Sequence, residues 1–266
     1  MTKGYVMIAT GDEYVKQAYL CAKSIKETQT INNVTLLSSD NIPSKFKDVF
    51  DDVISIPHVD VNPNNLYRTD IRWKAFHVTP YEETVVLDTD MIFLTDVSHW
   101  WNKLKNHDVC FTKNVRTYKN NIVNNDYYRK TFTKNNIPMV YCAFHYFKQN
   151  DVALKYYKKL QKVCRNYKDY YKIYAPKNTP QVSSMDLNHG ITVLEENIQN
   201  YIFQSASFVH MKSNVQDSEL RQEDWTQSIP FYMDSNKKLK IGNYLQHGIF
   251  HYTQHEFCKQ IGAYYD

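Results

Sequence analysis

The chain has 266 residues, enough to bury roughly three quarters of its unfolded surface in one large domain or two small ones. Its 42% hydrophobic, 23% charged and 15% aromatic residues describe a globular protein rather than a disordered or collagen-like one. The net charge of +4 suits a partner carrying a diphosphate, or a nucleic-acid surface, but is too small to demand either, and no run of ~20 apolar residues exists to span a membrane.

In chain order, residues 5–9 form a short apolar run that reads as a first strand and is too short for a secretory signal. Thr10-Gly11-Asp12-Glu13 follows as a turn. A helix is predicted over 14–26, with Val15, Ala18, Tyr19, Ala22 and Ile25 at spacings of three and four. Residues 34–37 give a second strand. Pro43 opens a short helix with Phe46, Val49 and Phe50 on one face, and 53–56 give a third strand. A polar stretch at 60–65 leads into a helix carrying Arg72, Trp73 and Phe76. Thr84-Val85-Val86-Leu87 is a fourth, wholly apolar strand ending in Asp88. Short apolar strands separated by helices belong to a mainly parallel sheet covered on both faces, which makes the fold class α/β. Beyond about residue 110 the pattern loosens: a strand at 140–147, one long basic helix over 151–171, and late strands at 207–210 and 248–252. With no linker or repeat, the expectation is one domain over 1–266 with an irregular C-terminal half. Cys21, Cys110, Cys142, Cys164 and Cys258 are odd in number and never closely paired, which predicts reduced thiols and a cytoplasmic protein, in the host cytoplasm if the chain is viral.

In an open α/β sheet, ligands bind beyond the carboxyl ends of the strands. Asp88 and Asp90 lie at such an end, before a further apolar segment, Met91-Ile92-Phe93-Leu94. Two carboxylates so close to a core are costly unless a cation or hydrogen bonds compensate them. A hard divalent ion does so, with substrate phosphates completing its oxygen shell. A capping or turn role is the alternative.

Leu87-Asp88-Thr89-Asp90-Met91-Ile92 resembles the Asp-x-Asp segment of A-type-fold glycosyltransferases, closest to glycosyltransferase family 8, the glycogenin and galactosyltransferase group. The opening strand, Ala9-Thr10-Gly11-Asp12-Glu13-Tyr14 and a helix with small residues at Ala18 and Ala22 are similar to that family's start. The resemblance implies a single A-type domain with a Rossmann-like mixed sheet, residues 1–112 as its nucleotide-sugar-binding half and 113–266 as its acceptor-binding half, and transfer of a sugar from a nucleotide-diphosphate donor, a UDP-sugar, to an acceptor hydroxyl with retention. It implies that Thr10 and Asp12 line the nucleoside pocket and that Tyr14 stacks on the base. Asp88 and Thr89 would contact the donor, Arg72 its phosphates, and Lys212 or Lys259 would assist. Asp88 and Asp90 would bind Mn²⁺, or Mg²⁺, together with a late histidine, His251 or alternatively His210. Asp186 would support the sugar in catalysis beside Arg72. Two departures are plain: the family's Gly-x-x-Lys-Pro-Trp tail is absent, and its Asp-Gln pair is replaced by Asp186-Leu187-Asn188.

Other readings stay open at this stage. His247, His251 and His255 recur every four residues and would form a separate metal site if they shared a helix face. Lysines interleaved with tyrosines over 155–172 are compatible with a nucleic-acid acceptor, such as a modified DNA base of the phage type, as well as with a glycan. Trp73, Trp100, Trp101 and Trp225 are either sugar-stacking or core residues. A sugar-phosphate nucleotidyltransferase or a non-catalytic nucleic-acid or sugar-nucleotide binding module are the alternatives to a transferase.

Overall fold

The computed structural model describes residues 2–56, 69–123, 129–198, 202–211 and 224–265. The polar stretch at 60–65 and Lys212 lie outside the described residues. In chain order the elements are β1 (Lys3–Ile8), α1 (Asp12–Thr28), β2 (Val34–Ser38), α2 (Ser44–Lys47), β3 (Asp52–Ser55), α3 (Thr69–Arg72), α4 (Ala75–Val78), β4 (Glu83–Leu87) and β5 (Met91–Phe93). Then come α5 (Trp101–Leu104), β6 (Val109–Arg116), α6 (Lys130–Lys134), β7 (Tyr141–Lys148), α7 (Asp151–Arg165), α8 (Tyr167–Tyr174) and α9 (Met185–Glu195). The last are β8 (Ile202–His210), α10 (Trp225–Ser228), β9 (Phe231–Met233), β10 (Leu239–Ile241), β11 (Tyr244–Leu245), β12 (Ile249–His251) and α11 (His255–Gly262).

Nine strands form one mixed sheet in the order β3-β2-β1-β4-β7-β6-β8-β12-β5, and β9, β10 and β11 form a small antiparallel sheet that the sequence pattern did not reveal. Strands β3, β2, β1 and β4 run parallel. Strand β7 is antiparallel to both β4 and β6, while β6, β8 and β12 run parallel to one another. The carboxyl ends of β1, β4, β8 and β12 therefore lie along one edge of the sheet. Both halves of the chain contribute to this sheet.

The apolar strands are explained by burial on both faces. Tyr5, Met7, Val85 and Leu87 join a core with α1 and α5, whereas Val6 and Val86 point the other way into a core with Phe76, Phe147, Tyr157 and Leu160. Alternate residues of one strand thus fill two different cores. The four tryptophans are core residues, none more than 9% exposed. All five cysteines are buried thiols, with no disulfide. No described helix is long and apolar enough to cross a membrane.

The single helix predicted over 151–171 is two. Asn166 ends α7 with φ −117° and ψ 30°, and its side chain donates to the Lys162 carbonyl, which is turn chemistry rather than helix continuation. Tyr156 and Tyr157 are fully buried, and Lys155 and Lys159 pair with Glu196 and Glu195. The interleaved tyrosines of α7 therefore build core and offer no stacking surface for bases. In α9, a Cβ at Gly190 would lie 2.9 Å from the Pro138 carbonyl oxygen and from an Ile137 methyl. Gly190→Ala is accordingly expected to destabilise the fold by about 1–3 kcal/mol, despite alanine's better helix propensity. A lowered denaturant midpoint at unchanged m-value checks this; an unchanged or raised midpoint would contradict the close packing.

Candidate active site

The site forms where three consecutive residues cross from β4 to β5. Asp88 begins the crossing, and its N–H donates to Ala143 O of β7 at 3.0 Å. Thr89 turns inward: it is 6% exposed, and its hydroxyl donates to Oε1 of the buried Gln17 on α1 at 3.4 Å. With Thr89 turned inward, Asp88 and Asp90 on either side of it share the opposite, ligand-facing side, as residues i and i+2 of extended chain do. The Asp90 carbonyl accepts from Tyr252 N at 3.0 Å, which ties the end of the crossing to the segment after β12.

Asp88, Asp90 and His251 bring one ligand atom each within 4.8 Å of one another, the one such group of three among the described residues. His251, 6% exposed at the end of β12, places Nε2 2.9 Å from Asp90 Oδ1. His210 ends the adjacent β8 and stands behind it, Nδ1 to Nδ1 at 3.0 Å. The two candidate histidines are thus neighbours, with His251 facing the carboxylates. The three-histidine alternative does not form: His251 is in a strand, and His255 opens α11 with its Nδ1 3.5 Å from Glu13.

Arg72, at the end of α3, hydrogen-bonds Asp88 Oδ1 through its guanidinium. Burial acts to lower the Arg72 pKa, but the raising contributions around it, Asp88 foremost and Asp186 adding, together outweigh it, so the net shift is upward and the group stays cationic. Lys74 instead lies over the Trp73 ring at 5.7 Å.

Asp186 sits in the first turn of α9, where Ser184 caps the helix by accepting from Leu187 N. One carboxylate oxygen accepts from Cys142 N at 2.8 Å and the other from Arg129 at 3.0 Å. Arg129 is 2% exposed, donates also to the Val140 carbonyl at 2.9 Å, and lays its guanidinium over the Tyr141 ring. Sequence reasoning missed it: it precedes α6 in an unpatterned loop, 57 residues from its acidic partner. Asn188 does not replace the missing site glutamine. It is fully buried, donating to Ser183 and accepting from Tyr171.

The nucleoside-side candidates lie after β1 on the same edge. Gly11 adopts φ 91°, and its N–H donates to Asp40 at 2.5 Å, which fixes the loop holding Thr10 and Asp12. Asp12 opens α1 and is exposed; Tyr14 is 48% exposed and stands edge-on to His255 at 5.3 Å. Asp40 is a loop-fixing residue that no local pattern announced. Lys259 is exposed and lies 3.7 Å from Glu256.

Three carboxylates (Asp88, Asp90 and Asp186) thus share the site with two guanidiniums, those of Arg72 and Arg129. An Asp-Asp-His donor set of mixed oxygen and imidazole ligands with this charge excess fits a divalent cation. Below the site, His145 donates from Nδ1 to the Cys142 carbonyl at 2.8 Å and contacts the Tyr157 hydroxyl through Nε2 at 3.0 Å. Burial, with the nearby Arg72 charge adding, lowers its pKa to about 4. Because the folded pKa lies below the unfolded value near 6.5, the unfolded chain binds the proton first as pH falls. This contribution to stability is fully present above about pH 6.5 and is lost progressively toward pH 4, roughly 3 kcal/mol over the window. In chemical denaturation between pH 7 and 4, His145→Asn is expected to lose stability less steeply than the wild type; equal slopes would contradict the assignment.

No protein-family model matches the chain, and no curated protein matches its sequence. Solved structures do match. The glycosyltransferase GlyE of Streptococcus pneumoniae superposes with a TM-score of 0.53 at 12% identity, over 100% of this chain and 60% of that one. The galactosyltransferase LgtC, solved with donor and acceptor sugar analogues, gives 0.52 at 13% identity over 98% of this chain and 95% of that one. Mouse xyloside xylosyltransferase 1 gives 0.53 at 9% identity, over 94% and 97%. The chain spans only 60% of GlyE but nearly the full length of the other two. At these identities the likeness is one of fold, and with a mixed, helix-flanked sheet and an Asp-Asp-His group at its carboxyl edge, the chain has the A-type glycosyltransferase fold.

Proposed function

We propose that the chain is a metal-dependent glycosyltransferase that moves a sugar from a nucleotide-diphosphate donor, a UDP-sugar, to a hydroxyl of a glycan acceptor with retention of configuration. The observation that carries this reading is the convergence of Asp88, Asp90 and His251 at the carboxyl edge of an A-type sheet. The galactosyltransferase neighbour carries donor and acceptor sugar analogues, which favours the same substrate classes here. The burial of Tyr156 and Tyr157 takes both tyrosines of α7 out of play as base-stacking rings, which favours a glycan over a nucleic-acid acceptor.

In this reading Asp88, Asp90 and His251 hold Mn²⁺ or Mg²⁺, which when bound acts as a Lewis acid toward the donor diphosphate. Arg72 supplies a permanent positive charge beside Asp88 for the phosphate oxygens, where negative charge grows as the glycosidic bond breaks. Tyr14 offers an exposed ring face to the base, steadied by His255, while Thr10 and Asp12 flank the nucleoside on a loop held by Asp40. Asp186 has one oxygen on Cys142 N and the other on Arg129. A carboxylate so held would surrender strong hydrogen bonds to form a covalent bond, which suits it to orienting the sugar rather than attacking it. The acceptor hydroxyl then attacks on the face from which the phosphate departs, and the departing phosphate oxygen takes its proton.

The test is nucleotide release from UDP-, GDP-, ADP- and CMP-sugars with and without Mn²⁺. UDP release is expected only with metal. Asp88→Ala and Asp90→Ala are each expected to lower it about a thousandfold, the several kcal/mol that a Lewis-acid ion contributes. Turnover of a different nucleotide would change the donor class, and metal-independent turnover or full activity in either variant would overturn the proposal.

A further inference from the structure

His210 and His251 occupy matched positions at the ends of parallel strands, with ring centroids 4.6 Å apart. The 3.0 Å approach of their two Nδ1 atoms has a chemical consequence. In a neutral imidazole one nitrogen is a donor and the other an acceptor, so across this contact one ring donates and the other accepts. The nitrogen of His251 that faces Asp90 is Nε2, at 2.9 Å. For Nε2 to offer a lone pair to a cation, the His251 proton must sit on Nδ1, and the atom that meets it there is His210 Nδ1.

We infer that His210 is a positioning residue for metal binding, an inference that rests on reading Asp88, Asp90 and His251 as the ligands. When a cation takes the Nε2 lone pair, His210 accepts from His251 Nδ1–H, which supports that tautomer and fixes the plane of the ring. Each ring keeps one proton, so the arrangement transfers no net charge. Outer hydrogen-bond partners of ligating histidines commonly set both tautomer and orientation.

His210 is itself held by the core. Its ring stands edge-on to Tyr141 at 5.8 Å, and Phe208 packs against both histidines at 6.0–6.3 Å. Tyr141 carries the Arg129 guanidinium on its face, and Arg129 binds Asp186. One buried aromatic therefore braces both the imidazole pair and the cation that holds the third carboxylate. The histidine that sequence reasoning set against His251 as a competing ligand supports it instead.

The test is titration calorimetry with Mn²⁺ alone on the wild type, Asp90→Ala, His210→Phe and His210→Asn. His210→Phe keeps a ring but no acceptor and is expected to bind Mn²⁺ ~10–100-fold more weakly. His210→Asn places an amide oxygen where Nδ1 stood and is expected to remain within about threefold of the wild type, since the acceptor is preserved. Circular dichroism checks folding, and His210→Ala replaces the phenylalanine variant if that one fails it. Wild-type affinity in a folded His210→Phe, or equal losses in the phenylalanine and asparagine variants, would overturn the inference. If Asp90→Ala abolishes binding while His210→Phe leaves it intact, the ligand reading survives and the role of His210 does not. If the wild type takes up no Mn²⁺, both fall together.

Discussion

Strands β4 and β5 are separated in sequence by Asp88, Thr89 and Asp90 alone, yet stand five places apart in the nine-stranded sheet. In a flat sheet five steps would span ~24 Å, whereas four residues of extended chain from Leu87 to Met91 reach at most ~14 Å. The sheet must therefore curl until its β5 edge comes back toward β4, and the acidic tripeptide is the clasp across the gap. Much else follows from that closure. It brings β12, the partner of β5, beside the end of β4, and so places His251 against Asp90. It seats α1 against β5, with Ser24 accepting from Phe93 N and Gln17 meeting Thr89.

The closed arrangement concentrates charge where the backbone has least freedom to relieve it. Each acidic group has an assigned partner: Arg72 for Asp88, His251 for Asp90, and Arg129 with Cys142 N for Asp186. These partners come from α3, β12, the residue before α6 and β7, so the site samples nearly the whole length of the chain. Two of them are buried or half-buried guanidiniums, whose charge is not removed by pH. The neutral imidazoles of His145 and His189 lie beneath, where burial lowers both pKa values and a second positive charge beside Arg72 is avoided. The polarity of the site is thus set by fixed cations.

What could be read from the sequence was local. The apolar run ending in Asp88 carried its own strand and its own position at a carboxyl end, and the spacing in α1 carried that helix. Asp186 was reached through the family resemblance rather than from its own surroundings, and the Ser184 cap that seats it in the first turn of α9 is visible only in the structure. What could not be read depended on register between distant strands. The pairing of His210 with His251 follows from β8 and β12 lying parallel, which neither strand encodes alone. Arg129 had no pattern around it and matters only because Asp186 arrives from α9. The long basic helix was misread because its charge pattern continues through Asn166, although the backbone does not. Its tyrosines were ambiguous between stacking and packing until the opposing core, with Phe76 against Tyr157 and Phe111 against Tyr156, was in view.

The central claim is that the clasp between β4 and β5 is a metal seat presenting a nucleotide diphosphate. The most direct test is a crystal grown with Mn²⁺ and UDP and measured at the manganese absorption edge. The account predicts one strong anomalous peak bounded by Asp88, Asp90 and His251, with the diphosphate against it and the base beside Tyr14. A peak elsewhere, or none there with nucleotide bound, would contradict it.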